Sequence, residues 1–104
     1  MAEVTWSSAA RDDLAAIRDY YARNSPGYAR SVLAKLFAAV ENLAVFPQMG
    51  RAVPEIEDPA FREVIVEDYR VVDLVTGEEA DASVDLLAIA HSRQDLVGKL
   101  SRRS

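Results

Sequence analysis

The sequence contains no cysteine. That single absence excludes disulfides, thiolate nucleophiles and cysteine-ligated zinc. Histidine occurs once, as His91, which leaves too few soft donors for an ordinary transition-metal site, so neither a metal nor a cofactor is expected. No apolar run approaches the length that spans a bilayer, and the start of the chain, Met1 to Trp6, lacks a basic segment followed by an apolar one. The protein is therefore expected to be cytoplasmic. A broad basic surface is missing too, because the net charge is −5; affinity built mainly on neutralising nucleic-acid phosphates is disfavoured.

What remains is an ordinary globular balance, with 50% hydrophobic and 28% charged residues in 104. A chain of this size supports one core, so residues 1–104 are expected to form a single domain. The charge is uneven: residues 55–85 hold eleven acids against Arg62 and Arg70, whereas residues 86–104 hold Arg93, Lys99, Arg102 and Arg103 against Asp95. The Arg102-Arg103 tail reads as a solvated terminus.

Val4-Thr5-Trp6 reads as a short strand. Ser7 or Ser8 then caps a helix in which Ala10, Leu14, Ile17 and Tyr21 share a face, with Asp12 and Asp13 assigned to its first turn and an end near Asn24. Ser25-Pro26 starts a second helix, serine as cap and proline at the first helical position. Its stripe of Ala29, Val32, Leu33, Leu36, Val40 and Leu43, widened by Phe37 and Ala44, ends at Phe46-Pro47. A short link makes the pair an antiparallel hairpin. Residues 47–61, with Pro47, Gly50, Pro54 and Pro59, predict an irregular connection.

Arg62 to Glu67, Tyr69 to Val75 and Val84 to Ala90 predict three antiparallel strands, the first two joined tightly at Glu67-Asp68 and the last two by the acidic segment from Thr76 to Glu79. Strict alternation puts Leu87 and Ile89 on the face of His91, with Val84, Leu86, Ala88 and Ala90 on the other. The fold class is α+β: an N-terminal strand and a two-helix hairpin on a small, mostly antiparallel sheet. Leu96 to Leu100 suggests one further turn of helix.

Polar chemistry collects where these strands end, at Tyr69-Arg70 and His91-Ser92-Arg93. Taken with Ala10, Asp13-Leu14, Ile17 and Tyr20 or Tyr21, Phe46-Pro47, Gly50-Arg51 and Arg62, this order resembles the RelE/ParE superfamily of type II toxin–antitoxin toxins over nearly the whole chain. The helix pattern, the Phe-Pro-x-x-Gly-Arg loop and the His-x-Arg-x-Asp ending resemble the ParE branch, which implies a non-enzymatic inhibitor of DNA gyrase neutralised by a cognate antitoxin. The alternative is a RelE-like endoribonuclease acting on messenger RNA in the ribosome, with Arg70, His91 and Arg93 as its candidate catalytic groups. A third reading is a degenerate toxin that keeps only antitoxin binding, suggested by Asp73 where an aromatic residue is usual and by the acidic turn.

Cleavage by 2′-hydroxyl attack needs a proton acceptor, a donor to the leaving oxygen and cationic stabilisation. One histidine cannot be acid and base together, and no tyrosine follows Tyr69. Target or antitoxin contacts are assigned to Arg62, Arg70, Arg93, Tyr20 and Tyr21. Against these stand plainer readings: His91 as a hydrogen-bonded strand end, Arg70 paired with Glu63 or Asp85, and one of the two tyrosines packed in the core. A partly uncovered stripe on the second helix would suit an amphipathic antitoxin segment.

Overall fold

A computed structural model describes residues 1–78 and 81–101. Glu79 of the acidic turn and the Arg102-Arg103 tail lie outside the described residues. The elements are β1 (Glu3–Trp6), α1 (Ser8–Asn24), α2 (Pro26–Val45), β2 (Arg51–Ala52), β3 (Phe61–Val66), β4 (Tyr69–Thr76), β5 (Ser83–His91) and α3 (Leu96–Ser101). One five-stranded sheet has the order β1-β5-β4-β3-β2, parallel between β1 and β5 and antiparallel elsewhere. The α+β expectation holds, with one strand more than the sequence suggested. That strand, β2, sits within the stretch read as irregular; two residues are too few to show a period.

Ser7 caps α1, its hydroxyl accepting from Ala10 N–H at 3.0 Å and donating to Leu87 C=O at 3.3 Å. Because the helix begins at Ser8, Asp12 and Asp13 fall in its second turn, beyond the reach of the free N-terminal N–H groups. Pro26 does open α2, but the Ser25 side chain makes no capping bond. Phe46, at the C-cap before Pro47, ends that helix. On α2 Val32, Leu36, Val40 and Leu43 are buried, whereas Phe37 lies outside the stripe, exposed and 6.1 Å from the Trp6 ring.

The helices cover one sheet face. Ala10, Ile17, Val32, Leu36 and Leu43 pack there with Val71, Val75, Val84, Leu86 and Ile89. A smaller cluster on the opposite face joins Val53, Val72, Ala90 and Leu96 under the 53–61 loop and α3. The parity read from β5 therefore fails at Leu87: Ile89 and His91 do share a face, but Leu87 does not join them, and Ala88 and Ala90 leave the face of Val84 and Leu86. Val72 pairs with Ala88 and Asp73 with Leu86, so Leu87 is an extra residue, and this bulge returns Ile89 to the face of Leu86.

Short β1 pairs with β5 only as far as Leu86, and beyond it α1 supplies a partner for the strand edge. Asp13 is buried, accepting from Ile89 N–H at 2.8 Å and from Lys99 Nζ at 3.0 Å. One carboxylate thus ties α1 to the sheet and to α3. Lys99→Met keeps the apolar stem and removes the charge; the expected cost is about 2 kcal/mol, below the roughly 3–5 kcal/mol of a fully broken buried pair because Asp13 keeps its backbone donor. Urea unfolding of the two proteins measures it, and unchanged stability would refute the clamp.

Candidate functional site

The register separates residues that the sequence placed side by side. Tyr69 pairs with His91 and Arg70 with Ala90. Since successive side chains on a strand point to opposite faces, Tyr69 and His91 lie on the helix-covered side and Arg70 on the other. Two distinct clusters result.

On the open side Arg70 is 8% exposed and enclosed by carboxylates. Its Nε donates to Glu63 Oε1 at 2.8 Å, and a terminal nitrogen donates to the same oxygen. The two terminal nitrogens also form a fork with Glu55, each at 2.6 Å. Glu63, its side chain wholly buried, uses its second oxygen to accept from Arg51, at 2.8 Å from Nε. The order Arg51, Glu63, Arg70, Glu55 is a continuous chain of alternating charge. Hydrogen bonds from Arg70 hold the Glu55 carboxyl below the usual carboxylate range, and the same bonds raise the Arg70 guanidinium further above its ordinary value.

Glycine is required at the corner of this cluster. A Cβ on Gly50 would stand 2.9 Å from the Glu63 carbonyl oxygen, too close for any other residue without a shift of β3. The Gly50 C=O accepts from Arg62 Nε at 2.9 Å. Arg62 itself pairs in register with Asp73.

The second cluster stands at the end where the helical hairpin turns. Tyr69 meets His91 edge-on, with ring centroids 5.6 Å apart, and its hydroxyl donates to the Tyr21 hydroxyl at 3.2 Å. Tyr21 in turn makes edge contacts with Tyr20 at 5.0 Å and Tyr28 at 4.9 Å. Burial pushes the Tyr69 phenol well above its ordinary range, so it stays a neutral donor. Tyr20 is 57% exposed and Tyr28 42%, which turns an aromatic surface outward. His91 Nδ1 accepts from Arg93 N–H at 3.2 Å, and Gln94 Oε1 accepts from His91 N–H. Arg93 is exposed, and its guanidinium makes no ion pair among the described residues.

Of the residues singled out in the sequence, Tyr20, Tyr21 and His91 share this end with Tyr69, and Arg93 follows at once in the chain. Arg70 and Arg62 do not join them. Arg70 does pair with Glu63, as one plain reading expected, but its other partner is Glu55 and not Asp85. Glu55 was invisible because it sits in a proline-bounded loop with no period to assign its direction. Tyr28 had a usable signal: with helices joined at Ser25, residues one turn before and after the link face each other.

A family described as "ParE toxin of type II toxin-antitoxin system, parDE" matches residues 4–96. A curated relative, Toxin RelE2 of Caulobacter vibrioides, is 34% identical over 92 residues, covering 88% of this chain and 97% of its own. Among solved structures, a chain of the chromosomal ParDE system from P. aeruginosa superposes with a TM-score of 0.69 at 24% identity, over 88% of this chain and 96% of that one. A YoeB/ParE toxin from Agrobacterium tumefaciens gives 0.59 at 13%, over 86% and 97%. At those identities the two structures speak to fold alone.

Proposed function

The chain belongs to the ParE toxin family of type II toxin–antitoxin systems, and on that premise we propose that it is a non-enzymatic toxin that inhibits DNA gyrase and is neutralised by a cognate antitoxin. The observation that carries the non-enzymatic part is the separation of Arg70 from His91 across the sheet, with Arg70 already held by two carboxylates. A phosphorane needs a free cation beside its acid and base; Arg70 stands on the opposite face and is neutralised while Glu55 and Glu63 hold it, which leaves His91 with Arg93 alone. The aromatic end supports protein recognition instead. Tyr and Arg dominate binding hot spots because they bury large area and keep polar tips, and Tyr20, Tyr28 and Arg93 are exposed there together.

Purified toxin is expected to inhibit gyrase supercoiling and to trap cleaved DNA, and antitoxin is expected to reverse both. No inhibition at saturating toxin would sink the gyrase assignment. The name of the Caulobacter relative, RelE2, favours a second reading as a ribosome-dependent ribonuclease. Messenger RNA mapped during induced growth arrest separates the two: discrete new ends within codons favour cleavage, and intact transcripts favour gyrase.

A further inference from the structure

We propose that Arg70 is a binding site for a carboxylate carried on an acidic, apolar-flanked segment of a partner protein, and that Glu55 closes this site in the free toxin as an internal stand-in. Glu55 already shows what the site accepts, since both its oxygens are held in a fork by the terminal nitrogens of Arg70. A planar carboxylate matches that fork in shape. The remaining donor side of Arg70 belongs to Glu63, which is fully buried and also fixed by Arg51, so the guanidinium cannot turn away when Glu55 leaves.

Glu55 itself is able to leave. Its side chain is 37% exposed and comes from the loop between β2 and β3, whose backbone is anchored separately by buried Val53 and by Ile56 N–H donating to Val53 C=O. Rotation of one side chain into solvent suffices to open the fork. Beside it runs a groove of about 760 Å³ lined by Ile56, Phe61, Leu87, Val97 and Leu100. An incoming carboxylate competes against a tethered one, so apolar neighbours resting in this groove supply the difference.

Charge selects the ligand. With Glu55 withdrawn, Arg51, Glu63 and Arg70 leave one net positive charge, which a single carboxylate neutralises. A phosphate dianion would overshoot that charge and leave an unbalanced negative charge beside the Glu57 that also lines the groove. An acidic polypeptide is therefore favoured over a nucleic-acid backbone. This inference is independent of the gyrase assignment.

Two variants of the full chain test it: Glu55→Ala, and Glu55→Gln, which preserves volume should the first fail to fold. The Arg70 Nε–H resonance is followed by NMR while acetate or inorganic phosphate replaces chloride at constant ionic strength. Acetate is expected to shift that resonance saturably in the variants, with at least ten-fold tighter apparent binding than in the wild type. Equal response in the wild type would overturn the closure by Glu55. No acetate response in either variant, or saturation by phosphate at lower concentration, would overturn the carboxylate site.

Discussion

Replacing Asp73 with valine is expected to raise stability at pH 7.5 by about 3 kcal/mol. Asp73 lies on the central strand β4 between Val71 and Val75, on the face packed by the helices, and is 0% exposed. Neither carboxyl oxygen has a hydrogen-bond partner among the described residues. Burial pushes its pKa from 3.8 up to about 7, and Arg62 and the residue's own backbone N–H offset only part of that. Valine is β-branched, suits a strand, and adds apolar area where a carboxylate now sits.

The pH dependence has a definite sign. Below about pH 4 both folded and unfolded chains hold the proton, and Asp73 carries no linkage penalty. Between pH 4 and 7 the unfolded chain is ionised while the folded one binds a proton, so this residue's contribution to stability falls as pH rises. Above 7 the penalty is complete, on the order of 4 kcal/mol for a shift of about three pH units. Urea unfolding at pH 5 and pH 7.5 should therefore show a wild-type slope that Asp73→Val lacks. Asp73→Asn should lose the slope but gain less stability, because a buried amide without partners still costs. A valine variant no more stable than wild type, or one with the wild-type slope, would refute the account.

Arg70→Ala should have the opposite effect, a loss of about 3–5 kcal/mol, because it leaves the wholly buried Glu63 with Arg51 alone. Loss of toxicity in that variant would then report unfolding and not chemistry. Arg93→Ala provides the contrast: an exposed guanidinium without an ion pair among the described residues, it should change stability by less than about 0.5 kcal/mol. It should nevertheless weaken the proposed gyrase inhibition about ten-fold, the effect of losing roughly 1.4 kcal/mol of binding. Thermal unfolding and supercoiling titrations on both variants decide the matter. An Arg70→Ala protein as stable as wild type, or an Arg93→Ala protein with full inhibition, would count against this division of roles.

The helices and the main strands were legible in the chain. Ala10, Leu14, Ile17 and Tyr21 do share the buried side of α1, Phe46-Pro47 does end α2, and Val66 and Tyr69 do flank a tight turn in which Glu67 takes a positive φ of 54°. These features rest on periods and stop signals that act within a few residues. The two-residue β2, the capping failure at Ser25 and the placement of Asp13 were not legible, because each depends on what another part of the fold brings near.

The candidate site divides along the same line. Its membership was partly visible, since Tyr-Arg and His-x-Arg stand out at strand ends, but its geometry was not. One extra residue at Leu87 reverses side-chain parity along β5, and no local pattern announces it. The pairing of Arg70 with Glu55 spans a loop without periodicity, and the orphaned state of Asp73 follows only from the helices above it. By itself, then, the sequence determined the main elements and their order, because those follow from short-range backbone preferences and apolar spacing, and it pointed to the family only through the resemblance of its motifs. Only the tertiary structure decided which charges are paired, buried or free, because pairing depends on strand register and on contacts between residues far apart in the chain.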